Sequence, residues 1–159
     1  ADTLHPILTI DGVDVEFYFS PDDGVAARLV ELILEAQESI YFMAYSFTAD
    51  DIGAAIVDAA SNRGVAVSGV METEQVNSNQ GTEYDFFQQS GLDVLLDGNQ
   101  GQMHHKVIII DGSIVITGSY NFSASAETRN DENVIIIHNP VIAGYYLDEF
   151  QRVYEQAQP

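Results

Sequence analysis

The residue types best suited to chemistry lie in the last third of the chain, around a histidine and the only lysine. His104 and Lys106 flank one residue at the start of an apolar run that ends at Asp111. Alternate residues of an extended strand share a face, so His104 and Lys106 project together while His105 projects away. A neighbouring cation lowers the pKa of an imidazole, which favours its neutral, nucleophilic form. The same cation attracts an anionic substrate.

A second set of polar residues follows the next apolar run. Asp111-Gly112 between two apolar runs predicts a hairpin, which returns the end of the second strand to the start of the first. Ser119 and Asn121 therefore come close to the histidine and the lysine, and Gly118 permits a close backbone approach. Imidazole, ammonium, hydroxyl and amide groups together are suited to a phosphate ester.

These residues and their spacing resemble a known signature. His104-x-Lys106, then Asp111, then Gly118-Ser119-x-Asn121 is similar to the His-Lys-Asp (HKD) motif of the phospholipase D superfamily. Two further segments, 43–48 and 126–133, look like those of the small bacterial Nuc-type endonucleases. The likeness covers about residues 14 to 156 and leaves out residues 1–12.

The resemblance assigns a role to each polar residue of the motif. His104 would attack phosphorus and form a phosphohistidine, and Lys106 would bind the phosphoryl oxygens. Ser119 and Asn121 would complete the phosphate cradle. Glu132 would hydrogen-bond a histidine of the site and orient it. The resemblance implies no metal and no cofactor.

Two motif residues are expected to be structural. Asp111 falls on the opposite strand face from His104, so we expect it to order the turn or a neighbouring strand, and Gly118 supports the motif. Tyr145 and Tyr146 are expected to pack in a helix.

Glu72 and Glu74 are expected in a solvated loop. They could instead line a substrate cleft.

The number of motifs predicts an oligomer. A second group must protonate the leaving oxygen and then activate water, and the family uses two HKD motifs for this, whereas this chain has one. We therefore expect a symmetric homodimer whose two His104 side chains face each other across the two-fold axis. His5 and His138 are expected at the surface, and His105 is expected to be packed or hydrogen-bonded.

Three functions fit these residues. The first is a metal-independent, non-specific endonuclease that cleaves DNA or RNA. The alternative is phospholipase D-type hydrolysis of a phospholipid such as cardiolipin. The third is a non-catalytic module that binds a phosphate ligand.

The charge balance limits how any substrate is bound. Twenty-five acidic and five basic residues give a net charge of −20 over 159 residues. So few cations exclude a broad basic nucleic-acid face and a polybasic membrane anchor, and the absence of cysteine excludes disulfides and thiolate chemistry. No stable membrane insertion is expected. The acidity favours a soluble protein with a solvated surface of the high-salt type, and secretion or a periplasmic location stays open.

The elements that position the site follow from hydrophobic periodicity. Strand and helix patterns alternate, which predicts a layered α/β fold: a mixed sheet flanked by helices in one catalytic domain over 13–159, preceded by an N-terminal extension over 1–12. The first two-thirds read as βαβαβ units with parallel strands. Capping patterns predict helices that start at Thr48, Thr82 and Asn139, and Gly64 is expected to end one of them.

Overall fold

Within residues 6–157, the part of the chain that this computed structural model describes, the apolar segments form strands and the amphipathic segments form helices. The strands are β1 (Ile7–Ile10), β2 (Val13–Ser20), β3 (Ser39–Ala44), β4 (Ala66–Met71), β5 (Asp93–Leu96), β6 (Lys106–Ile110), β7 (Ile114–Gly118) and β8 (Glu132–His138). The helices are α1 (Val25–Glu35), α2 (Asp50–Arg63), α3 (Thr73–Ser78), α4 (Glu83–Gln89), α5 (Ala124–Thr128) and α6 (Pro140–Gln156).

These strands form one mixed sheet in the order β1-β2-β8-β7-β6-β3-β4-β5, which confirms the predicted fold class. Only β3, β4 and β5 are parallel neighbours. The connection from β2 to β3 through α1 does not join neighbours, because β8, β7 and β6 lie between them. The sequence pattern could not reveal this, since those three strands come later in the chain and enter the sheet by antiparallel pairing.

The sheet order brings several strand ends to one edge. β3 ends at Ala44 and β7 ends at Gly118, while their antiparallel neighbours β6 and β8 begin at Lys106 and Glu132. All four residues consequently lie at the same edge, which we call the site edge. The predicted hairpin is confirmed: Asp111 and Gly112, at its turn, have positive φ angles of 53° and 58°.

The segment set apart as an N-terminal extension contributes to the sheet. Residues 7–10 form β1, which pairs antiparallel with β2 in the register Ile7 to Glu16. Thr9 adds a side-chain bond to Asp14 of β2. β1 is therefore an edge strand of the domain, and its apolar side chains are exposed.

The helix ends follow the capping patterns at two of three places. The side chains of Thr82 and Asn139 cap α4 and α6, and Gly64 ends α2 in the left-handed conformation. The cap predicted at Thr48 is wrong, because α2 begins at Asp50 and its N-cap is Ala49. There the first turn carries Asp50 and Asp51, whose charges favour a helix N-terminus.

The two faces of the sheet have separate cores. One face packs against α1, α2 and α4, with Leu29, Ile56 and Phe87 fully buried. The other packs against α6, which spans β3, β4, β6 and β7 and buries Ala143 and Phe150. The sheet is thus held from both sides at its centre.

A buried polar cluster lies at the end of the sheet away from the site edge. Glu16 is buried and accepts from Arg28 Nε at 2.9 Å and from Tyr18 Oη at 2.7 Å. His138 joins it through Nε2, 2.5 Å from Glu16 Oε2. The surface position expected for His138 is only partly confirmed: its side chain is 31% exposed, but antiparallel pairing of β2 with β8 puts it on the same face as the buried Glu16. His5 lies outside the described residues.

A second buried carboxyl is in α4. Glu83 is only 6% exposed and packs against Gly53 of α2. Burial and a hydrogen bond with Asp50 raise the pKa of Glu83 to about 7 from an ordinary value of 4.5. The folded state therefore holds a proton here that the unfolded chain releases at lower pH.

We predict that Glu83→Gln flattens the pH dependence of stability. Because the folded pKa is raised, Glu83 stabilises the fold below pH 4.5 and this contribution is lost as pH rises towards 7, on the order of 3 kcal/mol in total. Thermal unfolding between pH 4 and 8 measures it. The exposed Glu74→Gln is the matched control. If stability varied with pH in the same way for wild type and Glu83→Gln, the raised pKa of Glu83 would be contradicted.

Candidate active site

The lysine of the motif is buried at the start of β6. Lys106 is 8% exposed, and its Nζ donates to the backbone O of His104 at 3.0 Å and lies 3.2 Å from His104 Nδ1. Burial lowers the pKa of Lys106, while the charge of Glu132 acts in the opposite direction. The predicted pairing of His104 with Lys106 is confirmed, and the ammonium is held where few waters compete for it.

Tyr45, which the sequence reasoning did not single out, forms the wall behind this pair. Its ring contacts the His104 ring at a centroid distance of 4.3 Å, and Lys106 Nζ lies 5.1 Å from its centroid. The pairing of Ala44 with Lys106 extends to a bond from Tyr45 N to His105 O at 2.8 Å. Tyr45 lies in segment 43–48, which resembles the Nuc-type endonucleases, but only the β3–β6 register shows that its ring contacts His104.

The tautomer of His104 follows from its neighbour. An ammonium group can only donate, so in the neutral imidazole Nδ1 is the acceptor and the proton lies on Nε2. His104 is exposed, whereas Lys106 beneath it is buried. The imidazole is therefore open to a ligand from solvent, and a phosphate drawing Lys106 Nζ to its own oxygens would release Nδ1.

The hairpin brings Ser119 to the same edge. Its Oγ donates to Glu132 Oε2 at 2.5 Å and accepts from Asn133 N at 3.0 Å. Glu132 also accepts from Asn130 Nδ2 at 3.1 Å. The bond expected from Glu132 to a site histidine is not formed among the described residues of this chain, and the carboxylate accepts from Ser119 and Asn130 instead.

Gly118 and Asn121 shape the backbone around that hairpin end. A Cβ on Gly118 would lie 2.1 Å from Asn133 O, and its φ is 150°, so the close approach expected of this glycine is confirmed. Asn121 Oδ1 is buried, and no hydrogen-bond partner for it occurs among the described residues. Burial of an unpaired amide oxygen is costly, and because this oxygen can only accept, any bond from Asn121 to a phosphate oxygen would have to come from Nδ2.

Asp111 is structural, as expected. Its carboxylate accepts from the backbone N–H groups of Gln37, Glu38 and Ser39, at distances from 2.7 to 3.1 Å. Burial alone would raise the pKa of Asp111, but these donors and the charge of Arg63 hold it below its ordinary value. The motif aspartate thus fixes the start of β3 against the far end of β6.

The remaining candidates divide between confirmed and wrong expectations. His105 is hydrogen-bonded, 2.9 Å from Glu149 Oε1 of α6. Tyr146 packs against the α6 core, whereas Tyr145 is 70% exposed, because it lies on the outer side of the helix. The solvated position expected for Glu72 is wrong, because its side chain is buried.

Glu72 is buried and caps α3 by accepting from Gln75 N at 2.6 Å. Glu74, on α3, is exposed.

Two clefts border the site edge. One adjoins His104, and the other is lined by Phe19, Ser20 and Glu132. Among residues 6–157 no group of three or more His, Asp or Glu side chains is arranged to hold a metal ion. No helix in this part of the chain is long and apolar enough to cross a membrane.

Comparison with known proteins places these observations in a family. The family described as "Cardiolipin synthase, PLD-like domain" matches residues 29–154. A phospholipase D from Rickettsia prowazekii is 39% identical over 137 residues, which is 86% of this chain and 66% of the relative. The human mitochondrial cardiolipin hydrolase is 32% identical over 86% of this chain and 54% of the relative. The chain thus spans about two-thirds of the first of these proteins and about half of the second.

Two solved structures are similar over almost their whole length. Nuc from Salmonella typhimurium, a phospholipase D family member, has a TM-score of 0.84 and 37% identity, covering 92% of this chain and 97% of Nuc. NucT from Helicobacter pylori also has a TM-score of 0.84, with 28% identity over 91% of this chain and 98% of NucT. By its similarity to these proteins the chain is a hydrolase of the phosphodiesterase type. The chain belongs to the phospholipase D superfamily.

We predict that the ring of Tyr45 is needed to orient His104. Tyr45→Ala removes the surface against which the imidazole packs and should lower kcat by about 10²-fold, because misplacement by about 1 Å has that effect. Tyr45→Phe keeps the ring and loses only the bond that Oη accepts from Gln75, so its kcat should stay near wild type. Steady-state kinetics on bis(p-nitrophenyl) phosphate measure both, and equal losses in the two variants would contradict a role for the ring.

Proposed function

We propose that this phosphodiesterase is a non-specific endonuclease that works without a metal and as a homodimer. The observation that carries the chemistry is the contact between His104 and the buried Lys106 at the site edge, with Ser119 at the hairpin end beside it. A nucleophile, a cation and a hydroxyl at one edge of the sheet are suited to a phosphodiester.

The proposed reaction has two displacements. The His104 imidazole attacks phosphorus, a P–N bond forms and the P–O bond to the leaving group breaks. Lys106 Nζ stabilises the charge on the phosphoryl oxygens, and a second acid protonates the leaving oxygen. Water then attacks phosphorus, gives its proton to that second group, and the P–N bond breaks.

The second group is proposed to be His104 of another copy. Each chain carries one HKD motif. Of the two other histidines that the structure describes, His105 is engaged with Glu149 of α6 and His138 with Glu16 far from the site edge. A two-fold axis near His104 would supply the missing acid and base from an identical residue.

An incompletely covered apolar sheet face supports this arrangement. α6 packs over the central strands, and on the same face the outer strands β2 and β8 carry Phe17, Phe19 and Ile135. Phe19 is 51% exposed, and Phe17 and Ile135 are partly exposed. Because Phe19 lies next to Glu132 in the cleft at the site edge, a second copy seated on this face would adjoin the site.

Nucleic acid is favoured over lipid as the substrate because the chain matches Nuc and NucT over more of their length than it matches the lipid-hydrolase relatives. The chain matches 97% and 98% of Nuc and NucT, but only 66% and 54% of the phospholipase D and the cardiolipin hydrolase. Segments 43–48 and 126–133 resemble Nuc-type endonucleases as well. Lipid hydrolysis is the second candidate, supported by the names of those curated relatives.

A substrate panel without divalent metal tests the proposal. Single- and double-stranded DNA and RNA should be cleaved in the presence of a chelator, and cardiolipin or phosphatidylcholine vesicles should not. His104→Ala should abolish turnover, and denaturing gels of wild type quenched in alkaline detergent, where a P–N bond survives, should show a labelled phosphoenzyme. Turnover of cardiolipin alone would favour the second candidate, and loss of activity with chelator would contradict the metal-free mechanism.

A neighbouring histidine provides the control for that variant. His105→Gln changes the same residue type one position away, on a side chain that points to α6. It should keep most activity on bis(p-nitrophenyl) phosphate. Comparable loss in both variants would indicate damage to the loop rather than loss of the nucleophile.

We predict that Phe19→Glu separates the two copies and removes activity. The substitution puts a charge in place of an apolar side chain that the two-fold axis brings into the interface twice. Burial of each phenylalanine side chain stabilises the dimer by about 1.5–3 kcal/mol. Phe86→Glu on α4, also an exposed phenylalanine, is the matched control and should leave the dimer intact. Light scattering measures the mass, and a fully active wild-type monomer would contradict the shared site.

A further inference from the structure

A narrow cleft beside His104 holds a cation that the motif does not include. The cleft lies between the segment that joins β5 to β6 and the C-terminal part of α6, and its walls include His104, His105 and Arg152. The Arg152 side chain is 57% exposed. Arg28 and Arg63, by comparison, are bound to Glu16 and to backbone carbonyls at the end of α1.

Arg152 is fixed in position by a carboxylate. Its Nε and Nη2 donate to the two oxygens of Glu149 at 2.8 and 2.7 Å. Glu149 is also bonded to His105, the residue next to His104. Arg152 Nη1 also makes a long contact with Gln156 Oε1 at 3.5 Å. Since a guanidinium carries five N–H donors, these contacts leave two of them available for a ligand.

The carboxylates around this cleft are less accessible than the guanidinium. Arg152, with His105, holds the pKa of Glu149 at about 2, so Glu149 stays ionised and paired. Asp97 lines the cleft but is buried, and its Oδ1 accepts from Thr73 N at 2.8 Å. An anion that enters from solvent therefore meets the exposed guanidinium.

We propose that Arg152 binds a phosphate next to the scissile one, so that the site selects a strand of successive phosphodiesters over an isolated ester. The inference rests on the proposed endonuclease function. In a chain of net charge −20, the free N–H donors of a guanidinium beside His104 supply a local contact for an anion that the surface as a whole does not, even though Glu149 offsets part of the charge of Arg152. Arg152 is a specificity residue that leaves the chemistry at the scissile phosphate to His104 and Lys106.

The test compares two substrates in wild type and Arg152→Gln. On a single-stranded DNA oligonucleotide, kcat/KM should fall about tenfold, the loss expected for one charge-assisted contact. On bis(p-nitrophenyl) phosphate, which has one phosphate, it should stay within about twofold. The salt dependence of oligonucleotide cleavage should lose about 0.7 from its log–log slope, and Arg152→Lys should keep that slope.

A distant charge change provides the matched control. Gln89→Glu on α4 alters the net charge by the same amount as Arg152→Gln, at an exposed position, and should leave both substrates unaffected. Equal loss on both substrates in Arg152→Gln, or no loss on the oligonucleotide, would overturn the inference while the endonuclease function stands. A wild type that hydrolyses the small ester and cleaves no oligonucleotide would instead overturn the endonuclease function.

Discussion

The burial of a single ammonium group at the start of β6 is the constraint on which the site depends. Lys106 is almost fully removed from solvent, so its charge must be met by nearby groups. The backbone O and the Nδ1 of His104 and the ring of Tyr45 meet it. Because the same contacts hold the imidazole, the groups that stabilise the buried ammonium also fix the orientation of His104.

The motif residues at the two ends of β6 have different structural roles. At one end Lys106 holds His104, and at the other Asp111 gathers three backbone N–H groups at the start of β3. This second contact fixes β3 beside β6, and the register of that pair carries Tyr45 to the histidine. An aspartate with no access to substrate thereby contributes to the geometry of the site through the sheet.

The strong acidity of the chain is compatible with the proposed phosphate site because the attraction that such a site requires is local. A buried cation acts in a medium of low dielectric constant, where one charge has a larger effect than several in water. Glu132, an acidic neighbour of Lys106, accepts hydrogen bonds from Ser119 and Asn130. The remaining surface carboxylates favour solvation and are screened at high salt.

The sequence by itself determined the α/β class, the hairpin, the pairing of His104 with Lys106 and the structural role of Asp111, because these depend on strand periodicity and on residues close in the chain. It could not show that three strands separate β2 from β3, since β6, β7 and β8 come later in the chain and take their places by antiparallel pairing. The contacts of Tyr45, of Arg152 with Glu149, and of His138 with Glu16 were likewise decided by tertiary structure. Each joins residues distant in sequence, and only strand register and helix docking bring such side chains together.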